Sequence, residues 1–273
     1  VSLKELVKDC CPPILLRFYG VLRNKRIKYK GSYISWAEAE KYASGYESDA
    51  IFQRVRTSSL KVKHREALFE RDSVCFYKKD YRWPALACLL AVATERGGQL
   101  NVLDFGGALG SFYFQHKSFF ARVVKKLRWS VIEQAHFVEC GRNEFESNEL
   151  KFYSDIKTCI QNESVDIVFI SSVLQYIDNP RDILNQLSNI NADYILIDRT
   201  PFIESDKDAL SIQVVPEAIY KASYPAWFFS NTSFIKLISE IGYQVIEEFV
   251  CDDDVGIGQF KGFFLERVYA KST

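Results

Sequence analysis

The sequence predicts an α/β chain: a helical first third, then a mostly parallel sheet covered by helices on both faces and closed by an antiparallel pair. Three observations carry this prediction. From Leu100 onward, short apolar runs alternate with helical patterns, the rhythm of right-handed βαβ units. The run Leu100-Asn101-Val102-Leu103-Asp104-Phe105-Gly106-Gly107-Ala108-Leu109-Gly110-Ser111 joins a strand, an acid and a cluster of glycines just where a helix begins. Finally, Tyr243–Val250 and Phe260–Tyr269 are joined by a loop too short for a helical crossover, so those two strands run antiparallel.

Composition bounds the function classes. A chain of 273 residues with 48% hydrophobic and 15% aromatic content buries a large core as one domain or a domain plus an extension. Net charge is zero, so no global field points to nucleic acid. The charge is uneven all the same: residues 1–30 hold eight basic and two acidic side chains, a balance of +6 that leaves −6 for the rest. Seven scattered cysteines without a C-x-x-C read as free thiols in a reducing compartment, with no metal set expected. No apolar run reaches membrane-spanning length and no signal-peptide pattern is present, so the expectation is a cytoplasmic protein. Methionine is absent altogether.

The first 98 residues read as a helical extension or lid without a strand pattern. Pro12 to Leu22 is apolar and Arg23 to Lys30 basic. A terminal helix docked on the domain is the preferred reading, with weak peripheral contact on an anionic membrane surface as its rival. Ser35-Trp36-Ala37-Glu38 fits a capping box, and Gly45 closes that short helix. A second helix spans Asp49 to about Val62. Glu70-Arg71-Asp72 is either part of a pocket or a surface ion-pair cluster, the latter being the default for a charge run. Trp83-Pro84 opens a helix that stops at Gly97-Gly98.

Residues 99–273 form the second unit. Strand Leu100–Phe105 leads through the glycine turn into a helix that ends near Lys126. Strand Trp129–Glu133 precedes a helix from Ala135 to Phe145, and Phe152-Tyr153 is a short strand. Asp166–Ser171 is a buried-type strand, and a helix over Pro180–Ile190 leads to strand Tyr194–Asp198. Thr200–Phe229 is an aromatic-rich insertion, after which Ser230 caps a helix ending at Gly242. Glycines in such a turn give room and dihedrals that a side chain forbids, and the helix start behind them favours an anionic or polar ligand.

The turn D-x-G-G-A-x-G lacks the glycines of the dinucleotide fingerprint and resembles the first motif of class I S-adenosylmethionine-dependent methyltransferases, with Ala108 in place of the middle glycine. Further matches lie in Pro12-Pro13, Ser35-Trp36-x-x-Ala39, Glu70-Arg71-Asp72, and Ile212-Gln213-Val214-Val215-Pro216 through Tyr224-Pro225-Ala226-Trp227-Phe228. With these the whole chain resembles a methyltransferase family whose members lie in bacterial cell-surface polysaccharide gene clusters. The resemblance implies a Rossmann-like three-layer sandwich with a mostly parallel seven-stranded sheet. It also implies S-adenosylmethionine as methyl donor and S-adenosylhomocysteine as product. Expected cofactor contacts are Asp104, Gly106, Gly107, Ala108 and Gly110 at the turn, Glu133 for the ribose hydroxyls, Asp155 for the adenine amino group, and Ser171 and Ser172 at the mouth.

The acceptor is expected to be a small molecule or glycan, methylated on oxygen, and the wall around it to include Gln175, Tyr176, Tyr220, Tyr224 and Trp227. Asp198 is the preferred base and Arg199 a clamp for an anionic acceptor, with a purely structural Asp–Arg pair as the rival reading. His136 is a second candidate base. A noncatalytic S-adenosylmethionine-binding or scaffold protein, or another transferase of an S-adenosylmethionine derivative, is the alternative.

Overall fold

The computed structural model describes residues 28–44, 48–215, 222–251 and 258–269. In chain order it contains β1 (Lys28–Tyr33), α1 (Trp36–Glu40), α2 (Ser48–Lys63), β2 (Phe69–Arg71), β3 (Val74–Phe76), α3 (Trp83–Glu95), β4 (Gln99–Phe105), α4 (Ser111–Val123), β5 (Lys126–Ile132), α5 (Ala135–Cys140), β6 (Leu150–Tyr153), α6 (Ile156–Asn162), β7 (Ile167–Ser171), α7 (Pro180–Ser188), β8 (Tyr194–Ile203), β9 (Ala209–Val215), β10 (Ala222–Ser230), α8 (Asn231–Glu240), β11 (Tyr243–Val250) and β12 (Gln259–Arg267).

Seven strands form the core sheet in the order β6-β5-β4-β7-β8-β12-β11. The first five are mutually parallel, and β12 inserts antiparallel between β8 and β11. Alternate side chains of one strand enter opposite layers, as the two-residue period demands. Ile167 and Phe169 pack with Leu86, Leu89 and Phe120 of α3 and α4, whereas Val168 and Ile170 pack with Leu184, Leu187 and Leu237 of α7 and α8. Both faces being covered explains why the central strands read as unbroken apolar runs. This is the Rossmann-like, three-layer arrangement that the sequence predicts, including its antiparallel close.

The first third departs from the prediction. It is not helical throughout: β1 pairs antiparallel with β9, and β2 and β3 form a small hairpin. The reason is physical. Lys28-Tyr29-Lys30-Gly31-Ser32-Tyr33 is a short, charged, glycine-broken strand whose ladder partner stands some 180 residues away, so no local pattern announces it. The capping box is present, with Ser35 Oγ accepting from Glu38 N at 3.3 Å and Glu38 Oε2 accepting from Ile34 N at 2.8 Å. The basic stretch through Ile27, Gly45 and Tyr220 lie outside the described residues.

The insertion after β8 forms an antiparallel sheet, β1-β9-β10, continuous with the core. β7 leaves the edge of β8 at Asp198, and β10 takes up that same edge at Phe202 and Ile203. The added sheet therefore stands directly beyond the carboxyl end of β7. No helix among the described residues is long and apolar enough to cross a membrane.

Candidate functional site

Ligands in open α/β sheets bind beyond the carboxyl ends of the strands, and a cavity of about 1350 Å³ opens there. Its floor is the rim of the core sheet: Asp104 to Ala108 after β4, Ile132 to Gln134 after β5, Ser154 after β6, Ser171 to Val173 after β7, and Arg199 of β8. Its roof comes from the β2–β3 hairpin, with Glu70, Arg71, Asp72 and Ser73. The side wall comes from the antiparallel sheet, with Tyr29, Gln213 and Tyr224.

The rim is shaped by backbone. Gly106 has φ +75°, and its N–H donates to Ile132 O at 2.9 Å, turning the chain out of the sheet. At Gly107 a Cβ would stand 2.3 Å from Asp104 Oδ2, so the turn closes over that carboxylate only with glycine. Gly110, at φ +86°, caps α4 behind the rim and does not line the cavity. Strain gathers in the same place: seven described residues other than glycine have positive φ, and Asp72, Ser73, Ala108, Ser172 and Arg199 all line the cavity. Such conformations cost about 1–3 kcal/mol each and persist where the surroundings enforce them.

Two acids anchor the turn. Asp104 is 2% exposed and accepts from Trp129 Nε1 at 2.8 Å. Burial raises its pKa to about 7, partly countered by that bond and reinforced by nearby Glu133. Glu133 binds Ala108 N at 3.3 Å through Oε1 and Gln134 N at 2.8 Å through Oε2, so backbone fixes it at the rim. Burial pushes its pKa up as well. Asp155 is placed otherwise. It caps α6, accepting from Thr158 N at 2.8 Å and Thr158 Oγ1 at 2.9 Å, and Ser154 lines the cavity in its stead.

The expected bases move off the site. Asp198 is fully buried behind the wall; Oδ1 pairs with Arg82 Nη2 at 3.0 Å and Oδ2 accepts from Ser171 Oγ at 2.9 Å. That ion pair holds β8 to the segment before α3, and the carboxylate does not line the cavity. His136 packs edge-on against Phe52 at 5.0 Å and does not line it either. His116 is buried and neutral: burial lowers its pKa to about 4, Nδ1 bonds Phe112 O and Nε2 accepts from Arg82 N.

Arg199 does line the cavity, with Nη2 3.5 Å from Asp72 Oδ2 across to the roof. On the side wall the hydroxyls of Tyr29 and Tyr176 donate to Gln213 Oε1 at 3.0 and 2.9 Å, and Gln213 Nε2 donates to Tyr224 Oη at 3.1 Å. Tyr176 and Tyr224 are thus where the sequence reading puts them. Gln175 instead sits behind the rim, donating to Ser172 Oγ at 3.1 Å, and Trp227 packs against Trp36 while its indole N–H binds Ile177 O. Trp36 takes its place on the wall.

Three groups at the cavity stand outside the expected site residues, Glu70 because the surface reading of its charge run is the default. Glu70 is not a surface charge but 4% exposed, accepting from Ser111 Oγ and from Ser73 N at 3.2 Å. Gln213 is 2% exposed and was visible only as a polar residue within an apolar strand. Tyr29 stands in a basic stretch that carries no hint of its partner.

No family model matches the chain, and no curated protein matches it. Among solved structures it is similar to an S-adenosylmethionine-dependent methyltransferase from Clostridium acetobutylicum, at 12% identity and TM-score 0.46 over 70% of this chain and 93% of that one. It is also similar to the N-terminal domain of EvdMO1, solved with SAH and D-fucose, at 14% identity and TM-score 0.48 over 82% and 98%. A third is CalS10, an amino pentose methyltransferase from Micromonospora echinaspora, at 12% identity and TM-score 0.47 over 70% and 92%.

Proposed function

We propose that the chain is an S-adenosylmethionine-dependent methyltransferase that methylates a hydroxyl of a saccharide or polysaccharide precursor. The observation that carries the donor half is convergence. The ends of four neighbouring parallel strands and Arg199 of a fifth meet one cavity, with a glycine turn folded over Asp104 and a carboxylate pinned beside it. Glu133 fits a vicinal diol, because an ionised carboxylate only accepts hydrogen bonds and its two backbone partners leave lone pairs for more. When bound, the cofactor would supply an electrophilic methyl group. The chain's own residues orient the partners and exclude water, which is most of what an in-line displacement requires.

The acceptor half rests on the side wall and on the family resemblance. With their protons directed to Gln213, Tyr29 and Tyr176 suit a partner rich in hydrogen-bond donors, and Trp36 adds an apolar face. A hydroxylated ring has that character. Arg199 is the proposed clamp for an anionic group on the same acceptor.

Calorimetry with S-adenosylhomocysteine tests the donor half. Wild type is expected to bind, and Glu133→Ala to bind about 10- to 100-fold more weakly through loss of charge-assisted bonds. No heat from correctly folded wild type overturns the reading. Transfer of labelled methyl from S-adenosylmethionine to glycans in a bacterial lysate then tests the acceptor half.

A further inference from the structure

Glu70 is a buried carboxylate that lines the cavity, and its two hydrogen-bond partners, the Ser111 hydroxyl and the Ser73 amide, carry no charge. Burying an anion among neutral donors is costly, and its burial, with Asp72 close by, raises the Glu70 pKa to about 7. The chain nevertheless holds it there at further cost. Asp72 and Ser73, at φ +51° and +65°, form a left-handed turn without glycine, and that turn aims the Ser73 N–H back at Glu70. Each oxygen retains accepting capacity, so the group is suited to a cation entering from the cavity.

Position decides which cation. Ser111 is the first residue of α4, and its N-cap Gly110 closes the glycine turn. Glu70 therefore stands one residue from the turn that, on the reading above, holds the cofactor. Arg71 and Arg82 also line the cavity, the Arg82 guanidinium being paired with Asp198, so a basic residue stands beside the acid there as a zwitterion requires.

We propose that Glu70 receives the α-ammonium of the cofactor's amino-acid tail, making the β2–β3 hairpin the element that reads that tail. This rests on the proposed cofactor, and the test separates the two. S-adenosylhomocysteine carries the ammonium and 5′-methylthioadenosine does not. Calorimetry on the full chain is expected to show Glu70→Gln binding S-adenosylhomocysteine about 10- to 100-fold more weakly than wild type. The same variant should bind 5′-methylthioadenosine within twofold of wild type. Ser111→Ala, which keeps the charge and removes one orienting bond, should show a smaller loss of the same kind. Equal weakening of both ligands, or none of either, overturns the assignment to Glu70. Failure of both ligands to bind folded wild type overturns the cofactor reading itself.

Discussion

The rim of the core sheet and the wall and roof around it shape one cavity by different means. The rim is made by backbone: Gly106, Gly107, Ala108 and Ser172 set its curvature, and Glu133 is fixed by two main-chain amides. The wall is made by side chains, with three tyrosines converging on Gln213 from β1, β10 and the segment after β7. A backbone cradle tolerates few sequences and suits an invariant ligand. A side-chain network is re-cut by single substitutions and suits a variable one. That contrast supports assigning donor to rim and acceptor to wall.

The strongest way to break the contrast is at Asp198, where β8 is joined to the segment before α3. If the carboxylate is a structural partner of Arg82, Asp198→Asn removes the fully buried charge of that ion pair and lowers stability by about 3–5 kcal/mol in urea unfolding. Wild-type stability with lost methyl transfer would restore Asp198 to the chemistry.

A smaller effect is expected at the wall. Gln213→Leu removes three hydrogen bonds and should cost about 1–3 kcal/mol. It should depress methyl transfer while leaving S-adenosylhomocysteine affinity within twofold by calorimetry. Equal loss of both would merge the two halves into one site.

The third expected effect is a slope. Asp104 has a folded-state pKa of about 7 against an ordinary carboxyl value of 3.8, so the folded chain holds a proton that the unfolded chain has released. Its contribution is present below about pH 4 and is lost as pH rises to about 7. His116, lowered to about 4, works in the opposite direction, gaining stability as pH rises from 4 to its ordinary 6.5. Urea midpoints of Asp104→Asn should therefore rise relative to wild type across pH 4 to 7. A constant difference would mean that Asp104 stays ionised in the fold.

The same contrast governs what was legible in the sequence. The core strands and the glycine turn are local patterns, each readable within about a dozen residues, and the antiparallel close is readable from the short loop between its two strands. Asp155 was ambiguous because a strand-end acid and a helix cap share one position, and here the cap bond to Thr158 prevails. Glu70 and Tyr29 take their meaning from partners 41 and 184 residues away, and Gln213 from partners as far as 184, which a charge run or a lone polar residue does not announce. Asp198 reads from the sequence as the carboxyl end of its strand, but β8 continues for five more residues and Asp198 is buried within it.

That continuation of β8 has a metric consequence. The strand carries Arg199 at the cavity and, three residues on, Phe202, where β10 attaches. At no more than about 3.3 Å per residue the span between them is at most about 10 Å. Thr200, Pro201 and Phe202 are paired with β12, whereas Arg199 stands at a register irregularity with φ +51°, so the strand turns at Arg199 and is held from Thr200 onward. β8 thus sets an upper limit on how far the side wall stands from the rim.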